Sequence, residues 1–448
     1  MSRFASYMTM AVPRYTSYPT VPHFSDAVDG AGYAAWLEAL DPAEPVSLYL
    51  HVPFCRQVCW YCGCNMKLAA RYEPVADYVA TLIREIELVA DRLPGSMTVS
   101  HLHWGGGTPT AMEADDLARV MDVVFTRFGL APNAERAIEC DPRTLAPDMV
   151  KRIGALGFTR ASFGVQEFDP RVQRAINRIQ PPEMVADAVS ALRGAGVSGV
   201  NFDLIYGLPH QTRETIARTV ERCAVIGPDR LALFGYAHVP WMARKQRLIR
   251  EDALPGAGER LAQAREAGFR LRQAGYDPVG LDHFARPHDD LAVAARDGRL
   301  RRNFQGYTTD AARTLIGFGA TSIGRTPSGY VQNCSETGQW AREVSAGRLP
   351  VAKGHTFTGQ DRLRGAAIGE LMCNGCVDLD EIGRRHDAPA WWWFEERESL
   401  DGFVADGLIV QEGSRITVKS DASHLVRVVA SVFDTYLAGN AARHSVAV

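Results

Sequence analysis

The chain has 448 residues, 46% of them hydrophobic, and a formal net charge of −3. That length supports a large buried core and more than one domain. The near-neutral charge excludes a bulk electrostatic attraction to nucleic acid or acidic membranes, and no apolar run reaches the roughly 18 residues of a membrane span.

In chain order, residues 1–14 carry Arg3 with no apolar stretch behind it, so no signal peptide is expected and the cytoplasm is the default location. Pro13, Pro19 and Pro22 mark turns before a short helical patch at 31–40. A regular alternation then begins. Residues 46–51 read as a strand. Val75, Tyr78, Val79, Leu82, Ile86 and Val89 recur at helical spacing, and Pro94-Gly95 ends that helix. The next strand, 97–104, runs into Gly105-Gly106-Gly107. Further strands are expected at 137–140, 160–165, 200–205 and 231–236, with helices at 115–128, 147–156, 182–192 and 213–226. Six strand-then-helix units predict a parallel sheet with right-handed crossovers, as an open doubly wound sheet or a partial barrel. Turn-rich motifs follow the strands, at the ends where such folds place active sites.

Beyond residue 250 the rhythm changes. A helix at 258–273 precedes loop-rich stretches at 303–309 and 317–324. From 360 the chain reads as helices plus one hairpin, 407–410 and 415–419, turning at Glu412-Gly413-Ser414. Helices followed by a hairpin resemble a winged helix. The near-neutral charge favours a packing or lid role over DNA binding. The expected segmentation is an N-terminal extension (1–45, a substrate or lid segment), a catalytic domain (46–325) and a mostly helical C-terminal domain (326–448).

The cysteines are unevenly placed. Cys55, Cys59, Cys62 and Cys64 form a C-x3-C-x2-C-x-C run, whereas Cys140, Cys223, Cys334, Cys373 and Cys376 are scattered. The scattered five read as small buried hydrophobes. Cys373 and Cys376 make a lone C-x2-C, which without a second pair reads as structural. In a reducing compartment the compact run reads as metal or redox chemistry. Thiolates suit iron–sulfur clusters and zinc. Tetrahedral zinc usually takes two separated pairs, whereas one short loop can wrap three corners of a cubane and leave its fourth iron open.

C-x3-C-x2-C is the signature of the radical S-adenosylmethionine (SAM) superfamily. Within it the chain resembles the oxygen-independent coproporphyrinogen III oxidase (dehydrogenase) family. The resemblance runs through Pro13-Arg14-Tyr15-Thr16-Ser17-Tyr18-Pro19-Thr20, His103-Trp104-Gly105-Gly106-Gly107-Thr108-Pro109-Thr110, Glu139-Cys140-Asp141-Pro142-Arg143, Gly164-Val165-Gln166 and Asn177-Arg178. It continues through Asp203-Leu204-Ile205-Tyr206-Gly207-Leu208-Pro209, Tyr236-Ala237-His238, Asp282-His283-Phe284-Ala285-Arg286-Pro287, Arg302-Asn303-Phe304-Gln305-Gly306-Tyr307 and Phe433-Asp434-Thr435-Tyr436-Leu437. These segments span nearly the whole chain, in the family's order.

The resemblance implies a partial (β/α)6 barrel core with an N-terminal extension and a mostly helical C-terminal domain. It implies a [4Fe–4S] cluster on Cys55, Cys59 and Cys62, with SAM chelating the open iron and yielding a 5′-deoxyadenosyl radical. Cys64, the family's fourth cysteine, stays outside the ligand set as a catalytic candidate without an assigned step. Two SAM molecules are implied. Their contacts are Tyr49, Tyr61 against adenine, Gly106, Gly107 and Thr108 at the methionine moiety, and Glu139 at its ammonium. Gln166 and Asp203 are assigned the ribose hydroxyls, Arg178 the carboxylate, and Ala237 and Ile323 backbone or apolar contacts.

The implied reaction converts two propionates of coproporphyrinogen III to vinyls, giving protoporphyrinogen IX and carbon dioxide in haem biosynthesis. A tetracarboxylate substrate needs cations, and Arg14, Arg286 and Arg302 are candidates. The resemblance also implies a low-potential electron donor and a monomer, while the near-neutral charge and the lack of a membrane-length apolar run leave neither nucleic acid nor membrane expected as a partner. The rival readings are a related haem-trafficking protein of the same superfamily and a zinc-stabilised structural protein. Cys64, the 13–20 segment and the long C-terminal domain stand against the haem-trafficking reading. Cys140, where an aliphatic residue is expected, and the Trp391-Trp392-Trp393 run have no assigned role.

Overall fold

The computed structural model describes residues 4–437. The chain forms two compact units: one comprises Ser25–Ala274 and Asp310–Thr356, the other Gly275–Thr309 with the two terminal stretches up to Phe24 and from Phe357. This division differs from the expected breaks at 45/46 and 325/326. Residues 275–309 go with the terminal stretches, and 326–356 complete the sheet of the larger unit. Arg3, and the outermost parts of the expected extension and C-terminal domain, lie outside the described residues.

In the larger unit six strands lie side by side in chain order. They are β1 (Val46–Val52), β2 (Thr98–Gly106), β3 (Gly129–Cys140), β4 (Arg160–Gln166), β5 (Gly199–Tyr206) and β6 (Arg230–Gly235). Every neighbouring pair is parallel. The helices following β1 to β6 are α1 (Glu73–Ala90), α2 (Ala114–Arg127), α3 (Pro147–Ala155), α4 (Pro182–Gly194), α5 (Arg213–Ile226) and α6 (Ala257–Gln273). This is the α/β arrangement the alternation predicts.

Local signals explain the elements. β1 buries six of its seven residues, as a strand covered on both faces must. α1 buries Val75, Tyr78, Val79, Leu82, Ile86 and Val89, the stripe at helical spacing. α5 opens on a Thr212–Thr215 capping box and stops at Gly227, whose φ of 75° is left-handed. Trp104, Phe163, Phe202, Phe318, Leu48 and Leu50 are among the largest fully buried side chains, each worth about 1.5–3 kcal/mol of transfer free energy.

On the other side of β1 the sheet continues. β7 (Thr314–Phe318) pairs parallel with β1, and β8 (Ile323–Thr326), β9 (Gly329–Asn333) and β10 (Val351–Thr356) follow as an antiparallel meander. The sequence suggests loop here because Gly317, Gly319 and Gly324 punctuate it. They are needed for close backbone approach: a Cβ at Gly317 would lie 2.7 Å from the Ile323 carbonyl oxygen.

In the smaller unit the two ends of the chain share one core. Phe4, Val12, Tyr15 and Tyr18 pack with Leu363, Ile368, Leu371, Trp392, Trp393 and Phe433. Tyr15 donates to Asp434 at 3.0 Å, and the Tyr18 hydroxyl meets Thr435 at 3.0 Å. The first and last family-like segments therefore meet each other. Trp392 donates its indole N–H to the Leu379 carbonyl at 3.0 Å, so the tryptophan run is mainly core. Cys373 is buried beside Val279, Ala285, Leu291 and Tyr307, as the structural reading expects. The hairpin is present (Ile409–Glu412 with Arg415–Val418), and Cys376–Asp378 adds a third strand to it. Cys140, Cys223 and Cys334 are buried, and all nine cysteines are free thiols.

Candidate active site

The site is built at the carboxyl ends of the parallel strands. β1 ends at Val52, and the cysteine loop follows directly. Cys55 lies on a two-residue strand, Phe54–Cys55, paired with Lys67–Leu68, which closes the loop on itself. Two further ties hold the loop to the segment after β4: Trp60 N–H donates to the Ile176 carbonyl at 2.9 Å, and Asn177 Nδ2 donates to the Val58 carbonyl at 2.7 Å.

The three expected ligands are brought together. Cys55 feels both Cys62 and Cys59, and burial first, then these neighbours, push its thiol up to about 12. Cys59 is buried, and two guanidiniums converge on its sulfur: Arg143 Nη2 and Arg178 Nη1, each at 3.4 Å. The Cys64 thiol donates to Cys62 and lowers it to about 6, against the effect of burial, with the Lys245 ammonium assisting. That donation holds the Cys64 thiol well above its ordinary value. The loop thus favours ionisation at Cys62 and opposes it at Cys55 and Cys64.

Arg143 and Arg178 are held in turn by Asp141, at 2.6 and 3.6 Å. The Asp141–Arg143 pair is nearly dry, with side chains 8% and 4% exposed. Arg178, expected at the SAM carboxylate, is already engaged within the protein. Its Nε donates to the Gly164 carbonyl at 2.8 Å, and Cys59 and Asp141 occupy its other edge.

Gly105-Gly106-Gly107 packs against protein backbone and side chains. A Cβ at Gly107 would lie 2.6 Å from the Phe54 carbonyl oxygen, and one at Gly106, whose φ is 115°, would lie 2.7 Å from the His51 ring. Gly107 N–H donates to Val52 at 2.9 Å and Thr108 N–H to Phe54 at 2.8 Å. The glycine turn thus seats the entry to the cysteine loop. The buried Thr108 hydroxyl meets Thr110 at 3.3 Å.

Glu139, at the end of β3, accepts from Gly106 N–H at 3.2 Å and lies 3.4 Å from His103 Nε2. Tyr49 stacks on His103 with ring centroids 5.9 Å apart, and its hydroxyl meets His51 Nδ1 at 3.0 Å. Burial lowers His51 to about 4, so it stays neutral near pH 7. Tyr61 packs on an apolar cluster of Val172, Ile176, Leu208, Tyr236 and Ile249.

Two acceptors here lack a donor from the protein. Gln166, with a left-handed φ of 65°, has a buried Oε1 without a hydrogen-bond partner. Asp203 on β5 has its carboxyl raised to about 7, chiefly by burial and then by Glu139. Both flank Gly164: Gly164 pairs with Asp203 in the sheet, and its Cβ position lies 2.6 Å from Gln166 Nε2. Acceptors of this kind fit a ligand that brings hydroxyl or ammonium donors. Among the described residues, no three Cys, His, Asp or Glu side chains are placed to hold one metal ion. A cluster spreads its thiolates over separate irons and does not require that convergence. The residues therefore fit both an iron–sulfur cluster and SAM.

Ala237 and Ile323 are placed by backbone. The Ala237 carbonyl accepts from Gln246 Nε2 at 3.2 Å, and Ile323 opens β8 opposite Gln332. Gln246, 1% exposed, also donates to the Tyr61 carbonyl at 2.8 Å, so one amide joins the cysteine loop to the end of β6. Sequence reasoning does not find Gln246, His51, His103, Asp141 or Arg143 as site residues. His103, Asp141 and Arg143 do lie in family-like segments, which is the one available signal.

The substrate-candidate arginines lie in the smaller unit. Arg302 stacks on Tyr307 at 4.4 Å, and its Nε and Nη1 are buried without partners. Arg302 and the exposed Arg14 both act on Asp282. Burial opposes its ionisation, but His283, 2.7 Å away, and the two arginines hold its carboxyl low. Arg286 lies over the Tyr276 ring at 4.0 Å.

Six parallel strand-then-helix units with a three-cysteine loop after the first strand define a radical SAM protein, and residues 49–223 match the model of the radical SAM superfamily. The chain is 48% identical over 443 residues to the oxygen-independent coproporphyrinogen III oxidase of Bradyrhizobium diazoefficiens, covering 99% of this chain and 98% of that one. It is 40% identical over 433 residues to the enzyme of the same name from Salmonella typhimurium, covering 95% and 93%. It superposes on the solved coproporphyrinogen III oxidase of Escherichia coli, a radical SAM enzyme, with a TM-score of 0.91 and 37% identity, covering 96% of this chain and 100% of that one. The chain belongs to the oxygen-independent coproporphyrinogen III oxidase family.

Proposed function

We propose that this protein converts two propionates of coproporphyrinogen III to vinyl groups without oxygen, giving protoporphyrinogen IX in haem biosynthesis. The observation that carries the reading is the three-cysteine loop, closed by its own two-residue strand pair and seated at the strand ends beside the donor-less acceptors of Gln166 and Asp203. Cys55, Cys59 and Cys62 would hold the [4Fe–4S] cluster. When bound, the cluster and SAM supply hydrogen-atom abstraction through the 5′-deoxyadenosyl radical. At each propionate, loss of a hydrogen atom from the β-carbon, then of carbon dioxide and one electron, leaves the vinyl group. That electron passes to an external acceptor.

The chain's own residues bind, orient and set charge. Glu139, held by Gly106 N–H, would take the methionine ammonium, while Gln166 and Asp203 would accept from ribose hydroxyls. Arg178 would offer cationic charge to the carboxylate while supporting Cys59. Tyr49, Tyr61, Gly106, Gly107, Thr108, Ala237 and Ile323 complete the expected contacts to two SAM molecules. Arg302 is the strongest candidate for a propionate because its guanidinium is only partly satisfied. Arg14 would assist it. Arg286 is the weakest of the three, being committed to Tyr276. The protein is read as a cytoplasmic monomer that draws electrons from a low-potential donor.

The test is turnover under strict anaerobiosis. Reduced, cluster-loaded protein given SAM and coproporphyrinogen III should release two molecules of carbon dioxide per porphyrinogen and form protoporphyrinogen IX. Stable haem binding without turnover would sink the oxidase reading in favour of a haem carrier.

A further inference from the structure

We propose that the loop after β6, residues 241–250, is the docking surface for an acidic one-electron carrier protein that reduces the cluster. The inference rests on the cluster reading above and adds the place where the electron enters. The segment holds Arg244, Lys245, Arg247 and Arg250 and no carboxylate, in a chain of net charge −3. Arg250 is paired with Asp252 at 2.5 Å. Among the described residues, no ion pair joins Arg244 or Arg247 to a carboxylate, and both are exposed. Trp241, Met242 and Leu248 stand 54%, 74% and 59% exposed among these cations.

The loop has an inner face as well. Arg244–Leu248 is a 3-10 turn, in which residues three apart eclipse. Ala243, Gln246 and Ile249 are accordingly buried together. Gln246 donates to the Tyr61 carbonyl at 2.8 Å, Lys245 donates to the Cys64 carbonyl at 3.1 Å, and Ile249 shares an apolar cluster with Trp60 and Tyr61. The outer face of apolar tips and cations is thus one residue layer from the cysteine loop.

That combination suits transient electron transfer. Exposed Trp, Met and Arg are the residues enriched at interface centres. Redox encounters use small interfaces, below about 1,200 Å². A local positive field speeds the approach of an acidic partner by about 10- to 1,000-fold at low salt. The transfer itself moves one electron from the reduced carrier to the oxidised cluster, and no bond forms or breaks.

The experiment measures cluster reduction by anaerobic stopped-flow absorbance, with iron content determined before mixing. Cluster-loaded protein is mixed with either fully reduced flavodoxin or dithionite. The Arg244→Glu, Arg247→Glu double variant should slow reduction by flavodoxin about tenfold or more at low salt and flatten its salt dependence. Dithionite should reduce it within about twofold of wild type. Met242→Asp, which alters a side chain outside the core, should slow flavodoxin alone at every salt concentration. Unchanged flavodoxin rates in both variants overturn the proposal. So does a parallel loss with dithionite, which would make the loop a support for the cluster. Wild-type protein that accepts electrons from dithionite and never from flavodoxin overturns it too. Wild-type protein that assembles no iron–sulfur cluster instead brings down the functional reading, and the iron determination tells the two failures apart.

Discussion

Replacing Asp203 with Asn isolates a cost that the site carries before any ligand binds. Asp203 sits half-buried on β5, and burial, then Glu139, push its carboxyl from 3.8 up to about 7. Its relative stabilising effect is complete below the unfolded value and is lost as pH rises through about 7, because the folded state then holds an ionised, poorly solvated carboxylate. Between about pH 5.5 and 8.5, this titration alone weakens the fold by at most about 2 kcal/mol. Residual solvent access reduces that to about 1 kcal/mol. The amide of the Asp203→Asn variant has no such titration. Urea unfolding of the cluster-free protein should show the variant gaining about 1 kcal/mol on wild type between those pH values. SAM binding should weaken about tenfold, because charge-assisted hydrogen bonds to ribose are lost. A stability difference that does not change with pH, or a variant that loses ground at high pH, would refute the reasoning.

Other changes test the supports around the cysteine loop. Gly107→Ala should lower the iron content of reconstituted protein, because its Cβ would fall 2.6 Å from the Phe54 carbonyl oxygen; Gly63→Ala, with nothing within 4 Å, should load normally. Arg143→Ala leaves the dry Asp141 carboxylate with the backbone N–H of residue 143 at 3.1 Å and the longer contact to Arg178, and should cost about 3 kcal/mol in urea unfolding; a cost under about 1 kcal/mol would contradict the burial argument. Gln246→Leu removes the donor to both Tyr61 and Ala237, and should cost about 1–3 kcal/mol with faster oxygen bleaching of the loaded cluster. Equal stability would mean that this amide does not tie the loop.

The regular part of the fold was legible because it obeys simple periods. The stripe from Val75 to Val89 and the buried run of β1 each identify their element without help from the rest of the chain. The meander β7 to β10 was not, since its glycines serve close backbone contacts that a sequence pattern shares with loops. The same contrast holds at the site. The cysteine spacing is local, so the candidate ligands stand out. The guanidiniums of Arg143 and Arg178 lie 84 and 119 residues from Cys59, and only the fold brings them to its sulfur. The Gly105–Gly107 turn was visible, but its close packing on Phe54 and His51 was not. The two units likewise hide in sequence, because Tyr15 and Asp434 meet across 419 residues.

The account stands most directly on which cysteines hold the cluster. Iron and sulfide analysis, with electron paramagnetic resonance of the reduced protein, should be made on wild type and on single alanine variants of Cys55, Cys59, Cys62 and Cys64. The account predicts about four irons and four sulfides per chain in wild type, loss of the cluster in the first three variants, and its retention in Cys64→Ala. A cluster that survives removal of Cys55, Cys59 or Cys62, or that is lost with Cys64 alone, would contradict it.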